Sequence, residues 1–382
     1  MKKLLVTLSI LMCSFSGTLF AAPSLIPAPP QLSASSYILM DAYTGDILVE
    51  NNADQALPPA SLTKLMTAYI VEYELARGNL SLDDQILISE KAWRMTGSRM
   101  FIREGTRVSL EDLMRGIIIQ SGNDASVAVA EHVAGSEAAF TDLMNQHAQL
   151  LGMTNSHFVN ATGFPAEGHY SSAHDLAKLS RAKILQFPDN YTMYAEKEFT
   201  YNNIRQPNRN RLLWRDKTVD GLKTGHTEEA GYCLAASAVR NGTRLITVVM
   251  GTKSDAARAM EAQKLLDFGF RYYETRKLYS RGQVVNNAPV WGGSQSSVKV
   301  GFAEDVLVTM PRQQGDSIPA VLDMRTEIVA PIAVGDVLGK IIVGSDGNIL
   351  LERSVVALEA VEEGSFFKRL FDKIKLFFMN LF

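Results

Sequence analysis

The stretch Pro58-Pro59-Ala60-Ser61-Leu62-Thr63-Lys64-Leu65-Met66-Thr67-Ala68-Tyr69 constrains the fold of this chain more than any other. It reads as a loop running into a helix, with a serine at the entrance and a lysine one turn further in. Positions three apart share a helical face, so the Ser61 hydroxyl and the Lys64 amine can meet. Leu62, Leu65, Met66, Ala68, Tyr69 and Ile70 leave the helix almost no polar side, which predicts burial. Burial disfavours an ammonium and lowers a lysine's pKa, making Lys64 a usable base near neutrality. Taken alone, the pair also fits a serine cap followed by a lysine reaching to solvent.

The chain has 382 residues, enough for two domains and a large core. A net charge of -3 leaves no basic excess to meet phosphates, which excludes nucleic acid as an expected partner. Of the two cysteines, Cys13 falls in an N-terminal leader and Cys233 in a strand-like run. No internal disulfide framework is expected, and Cys233 reads as packing. The bulky Met12 before Cys13 argues against lipid attachment there. The histidines are scattered and show no metal-ligand spacing, so neither metal nor cofactor is implied.

Residues 1–21 read as a secretory signal: Lys2-Lys3, an apolar run over 4–12, then small residues. Pro23 places cleavage after Ala21, and the apolar run is short for an uncleaved anchor. Residues 23–30 then form a flexible stalk. At the other end, Phe367, Leu370, Phe371, Ile374, Phe377, Phe378 and Leu381 recur at steps of three and four. Lys368, Arg369, Asp372, Lys373 and Lys375 take the opposite side. This aromatic, basic-flanked stripe fits a helix lying in a membrane interface, the alternative being a helix docked on the body. Together the two ends predict an exported protein on the periplasmic face of the inner membrane, held peripherally by its C-terminal helix.

Between them, residues 37–40 and 46–49 read as a hairpin around Asp41 to Gly45. Ser109, with Asp112 three residues on, caps a helix over 110–120. Gly122 and Asn123 permit a tight turn there, and helical character resumes over 125–134. Residues 219–227 read as a strand, and 232–239 with 243–250 as a hairpin across Asn241-Gly242. A helix over 254–268 follows. This order predicts an α+β fold, a sheet covered by helices. After Ser280, short β-type runs at 284–285, 297–301, 306–310, 327–329, 337–343 and 349–356 predict a small all-β domain. The expected plan is signal 1–21, catalytic domain 22–280, β domain 281–360 and amphipathic helix 361–382.

Three short motifs stand in order, tens of residues apart: Ser61-x-x-Lys64, Ser121-x-Asn123 and Lys223-Thr224-Gly225. Each is weak; the ordered set is specific, and it resembles the penicillin-recognising serine enzymes. The chain is similar over essentially its whole length to low-molecular-mass penicillin-binding proteins of the type-five group, the D-alanyl-D-alanine carboxypeptidases. Asp41-Ala42-Tyr43-Thr44-Gly45, Ser171-Ser172-Ala173-His174-Asp175-Leu176, Asn208-Arg209-Asn210 and Asp220-Gly221 before the third motif support this. The resemblance implies a β-lactamase/transpeptidase-like domain and removal of the terminal D-alanine from peptidoglycan pentapeptides. It implies Ser61 as nucleophile, Lys64 as its base and Ser121 as a proton relay to the leaving amine. Asn123 would hold a substrate amide, and a charged Lys223 would partner Ser121 and the substrate carboxylate. Backbone N–H groups of Ser61 and of the Lys223 strand would form the oxyanion hole. β-Lactams would acylate the same serine and be released slowly.

Thr224, Arg209 and Arg258 are further candidates for the substrate's carboxylate end, the arginines alternatively being structural ion pairs, and Gly225 is a candidate for substrate binding as part of the third motif. His226 contacts substrate or orders the turn after Lys223. A β-lactamase would share the motifs but needs a deacylating glutamate; Glu167 is the nearest offered and lacks the Glu-x-x-Leu-Asn pattern. An endopeptidase and a non-catalytic wall-binding protein are the other rivals.

Overall fold

A computed structural model describes residues 26–312, 319–345 and 348–379. The expected signal, its cleavage point and Cys13 lie outside the described residues. The first lobe is built on a five-stranded antiparallel sheet of β1 (Ser36–Asp41), β2 (Ile47–Asn51), β3 (Val219–Thr227), β4 (Gly231–Arg240) and β5 (Thr243–Thr252). Their spatial order is β2-β1-β5-β4-β3, so β3 is an edge. Period-two alternation sorts the side chains between two cores. Ile38, Met40, Ala235, Ile246 and Val248 face one way, into the larger cluster. Tyr37, Leu39, Leu234, Ala236 and Leu245 face the other.

The larger core is filled by α1 (Lys64–Ala76), α2 (Leu110–Arg115), α3 (Asn123–Ala134), α4 (Glu137–Leu150) and α5 (Ala173–Gln186). On the opposite face α6 (Asp255–Tyr272) lays Ala259, Ala262, Leu265 and Leu266 across β4 and β5. Ser109 caps α2 through the Asp112 N–H, as its spacing predicts. Asn241 and Gly242 take φ of 50° and 81°, the left-handed pair a type I′ hairpin requires. Within the described part of the expected stalk, Ile26 packs on the smaller core while residues 27–29 are exposed, and Leu32 just beyond it packs on the same core.

The turn after α2 is also built differently from the expectation. Residues Gly116–Gln120 form a π-helical turn, and Ser121 itself adopts the left-handed conformation at φ 65°. Gly122 has an ordinary φ of -59° and Asn123 already belongs to α3. The unusual backbone therefore falls on the motif's serine rather than on the glycine beside it.

In the second lobe β6 (Tyr273–Tyr279), β7 (Val284–Pro289), β8 (Ser297–Gly301), β9 (Val306–Pro311), β10 (Ala320–Met324), β11 (Val337–Ser345) and β12 (Asn348–Ala357) form two antiparallel sheets. One pairs β6 with β9; the other runs β7-β8-β12-β11-β10. Residues 327–329, expected as a strand, make only an isolated bridge from Val329 to Trp291. The chain passes from α6 into β6 without a loop. At the junction the buried Asp41 carboxylate accepts from Thr275 Oγ1 (2.5 Å), Thr309 Oγ1 (3.0 Å) and the Tyr43 N–H (2.8 Å). Thr44 and Thr309 hydroxyls meet at 2.6 Å beside it.

The chain closes with α7 (Phe366–Met379). Its polar side faces the second lobe: Asp372 accepts from the Gly292 N–H at 2.8 Å, and Lys375 stands 5.4 Å over the Trp291 ring. Phe367 and Phe371 are each 70% exposed, so the aromatic stripe is turned away from the protein. Among the described residues no helix is long and apolar enough to cross a membrane.

Candidate active site

Ser61 lies in a single 3-10 turn, Ala60–Thr63, that leads directly into α1. Lys64 Nζ is 3.1 Å from Ser61 Oγ, 2.7 Å from Asn123 Oδ1 and 2.5 Å from the Thr162 carbonyl oxygen. A neutral amine has two N–H donors and one lone pair. The amide and carbonyl oxygens take the two hydrogens, which leaves the lone pair for the Ser61 hydroxyl. Lys64 is 1% exposed, and burial, reinforced by the positive charge of Arg209, brings its pKa down to about 7. Such an amine is a competent base at neutral pH.

The second motif is carried by the unusual turn ahead of α3. Asn123 is fixed from both ends, its Oδ1 on Lys64 and its Nδ2 donating to the Thr96 carbonyl at 2.8 Å. Ser121 Oγ is buried and has no hydrogen-bond partner among the described residues, which leaves it available to a reacting group. Asp124, next in sequence, accepts from the N–H groups of Met100 (3.0 Å), Phe101 (2.9 Å) and Ala125 (2.9 Å). It thereby ties the Ser98 loop to the start of α3. Motif spacing alone gave no reason to single it out.

The third motif lies on edge strand β3, pressed against the nucleophile turn. A Cβ on Gly225 would stand 3.1 Å from the Pro59 carbonyl oxygen and 3.2 Å from the Leu62 nitrogen. The glycine thus permits the strand's close approach to Ser61 and offers only backbone to a ligand. Lys223 is buried, and its Nζ donates to the Thr224 carbonyl at 2.9 Å rather than to Ser121. Burial, then the charges of Lys64, Arg209 and Arg258, hold its pKa well below the usual lysine range. The surroundings thus push both lysines in the same direction, and the expected contrast of one neutral and one charged amine is not produced by burial.

Ser61, Ser121, Thr224, Gly225, His226, Arg209 and Arg258 line one open cavity of about 480 Å³. Arg209 donates to Ser98 Oγ at 2.8 Å, and Arg258 donates to the Gly225 carbonyl at 3.0 Å. Arg258 also pairs with Asp255, so it is a braced cation rather than a solvated one. His226 sits at the mouth with its ring 3.9 Å from that of Tyr232. Ser98, Tyr232 and Asp255, which sequence reasoning passed over, are also part of the wall. Glu167 is exposed and is not among the lining residues.

A serine held against a buried neutral amine, with cations along the far wall, defines the serine acyl-transfer class of hydrolase on an α+β fold. The chain belongs to the D-alanyl-D-alanine carboxypeptidase family, whose model matches residues 24–254. Residues 273–363 match the model of the penicillin-binding protein 5 C-terminal domain. The D-alanyl-D-alanine carboxypeptidase DacC of Escherichia coli is 43% identical over 96% of this chain and 94% of its own. Penicillin-binding protein 5 from Haemophilus influenzae superposes with a TM-score of 0.84 at 41% identity, covering 88% of this chain and all of that one. Penicillin-binding protein D2 from Listeria monocytogenes, solved in an ampicillin-bound form, gives a TM-score of 0.59 at 32% identity over 64% of this chain and all of that one.

Proposed function

We propose that this protein removes the terminal D-alanine from peptidoglycan pentapeptides through an acyl-enzyme on Ser61, and that β-lactams acylate the same residue. The observation that carries this reading is the placement of the buried Lys64 Nζ, 3.1 Å from Ser61 Oγ and held by Asn123 Oδ1 and the Thr162 carbonyl, so that its neutral form can turn a lone pair toward Ser61. Ser61 Oγ attacks the carbonyl carbon of the penultimate residue while its proton passes to Lys64 Nζ. Backbone N–H groups of Ser61 and of β3 stabilise the developing oxyanion. Collapse breaks the C–N bond, and Ser121 relays the proton to the departing D-alanine amine. Water then attacks the ester and regenerates Ser61. Arg209, Arg258 and Thr224 receive the substrate's free carboxylate, and Asn123 with the β3 edge orients its peptide. A bound carboxylate favours a charged Lys223, so the contrast between the two lysines is made by the substrate.

The exposed aromatic stripe of α7 supports attachment to a membrane surface, and with the export signal expected over 1–21 it supports a location on the periplasmic face of the inner membrane. The domain plan is then the peptidase unit, the all-β unit and the anchor expected over 22–280, 281–360 and 361–382, with the first boundary drawn back to about 272 because β6 pairs with β9 of the second lobe. A carboxylate suited to deacylating a β-lactam would favour a β-lactamase, and the exposed Glu167 does not supply one. The test is intact-mass spectrometry after brief benzylpenicillin treatment. A persistent adduct on Ser61, absent from Ser61→Ala, is expected; rapid drug hydrolysis or an unmodified enzyme would overturn the reading.

A further inference from the structure

Residues 157–170 form a closed loop whose ends exchange backbone hydrogen bonds, His157 N to Tyr170 O at 2.9 Å and Tyr170 N to His157 O at 3.0 Å. Its interior is stiffened by Asn160, whose Oδ1 accepts from Thr162 N (3.1 Å), Thr162 Oγ1 (2.9 Å) and Gly163 N (2.7 Å). The loop's crown supplies the Thr162 carbonyl that takes one of the two Lys64 hydrogens. Gly163 lies so close to the nucleophile turn that a Cβ there would fall 1.9 Å from the Ala60 carbonyl oxygen.

On the far limb of the same loop, the buried His169 reaches back to the turn. Its Nε2 is 2.8 Å from Thr63 Oγ1, on the residue immediately before Lys64. The Val159 N–H donates to His169 Nδ1 at 3.1 Å, so Nδ1 is the bare nitrogen and Nε2 carries the hydrogen. His169 therefore donates to Thr63, and the neutral imidazole is the only form that makes both bonds. Burial first, and then the neighbouring His157 and Lys64, disfavour a cation there and bring the His169 pKa down to about 4. Phe158 closes its apolar side edge-on at 5.9 Å.

We propose that His169 is a positioning residue for acylation: its bond to Thr63 seats the 157–170 loop on the nucleophile turn, so that the Thr162 carbonyl aims the Lys64 lone pair at Ser61. The inference rests on the acyl-enzyme reading. If the loop lifts, Nζ loses one acceptor and gains water, which weakens its alignment and returns it toward the ordinary, protonated lysine.

The test is the rate of Ser61 acylation by a fluorescent penicillin between pH 5 and 9, in the full chain. His169→Asn keeps an acceptor near the Nδ1 position but is too short to reach Thr63. His169→Gln keeps a donor at about the reach of Nε2, and Thr63→Val removes the acceptor. His169→Asn and Thr63→Val are each expected to slow acylation by about tenfold and to move its acidic limb to higher pH. The double variant should be no slower than either single one, and His169→Gln should stay within about threefold of the parent. Losses that multiply, or an acidic limb that stays in place in Thr63→Val, overturn the proposal, and Thr63→Val decides alone should His169→Asn not fold. A parent protein that is never labelled on Ser61 removes the acyl-enzyme reading and this proposal with it. A labelled parent whose variants keep their acidic limb removes the proposal alone.

Discussion

At the scale of single residues, Lys64 is where burial becomes chemistry. Only its neutral form accepts the Ser61 proton, and its pKa is lowered to about 7. The neutral fraction grows as pH rises, so acylation should climb between pH 6 and 8 and then level off, followed with a chromogenic or fluorescent β-lactam. Lys64→Arg should lose on the order of a thousandfold in acylation, because a guanidinium stays protonated throughout that range. A variant with undiminished rate would remove Lys64 from its role. The serine and the two lysines were legible because their side chains repeat a known spacing in a readable order. The Thr162 carbonyl was not, since a backbone oxygen leaves no signature in residue type. Nor was the lowered pKa of Lys223, which depends first on its burial and then on Lys64, Arg209 and Arg258 folding in beside it.

Among the elements, β3 and the nucleophile turn behave as one unit. Gly225→Ala adds a methyl group 3.1 Å from the Pro59 oxygen and 3.2 Å from the Ala60 Cβ, too close to be accommodated in place. Overpacking of this kind costs roughly 1–3 kcal/mol, and the displaced neighbour is the turn bearing Ser61. Acylation should fall more than thermal stability does, which parallel melting and labelling of the variant would show. A second brace lies deeper, where Lys183 of α5 donates to Glu72 of α1 at 2.7 Å and Tyr194 donates to the same carboxylate at 3.2 Å. Glu72→Ala strands a buried ammonium and should cost about 3–5 kcal/mol in denaturant titrations. The two hairpins of the first lobe, the Ser109 cap and the Asn241-Gly242 turn were all readable, because each is local in sequence. The π-helical turn and the left-handed Ser121 were not. They arise from how α2 and α3 are held against the Ser98 loop, and local propensity contains no such information.

For the whole molecule, the two lobes and the terminal helix followed from the change in texture after Ser280 and from the three-four stripe. Strands β6 and β10 escaped notice, one because it continues a helix without a turn signal, the other because its residues alternate weakly. Deleting residues 361–382 should move the protein from the membrane fraction to the soluble one while leaving acylation of Ser61 by penicillin unchanged. Equal membrane association of the truncated chain would place the attachment elsewhere.

The knot at Asp41 bears on what such a tether can do. Two strands of the second lobe donate to one carboxylate that is buried in the first, and α6 runs into β6 with no slack between. A joint of this kind resists swivelling. With the terminal helix held at a surface, the cavity would sit at one fixed height and heading above it. Held in that way, the enzyme would act as a gauge as well as a catalyst, reaching the stem peptides that pass at its own level and missing those above and below.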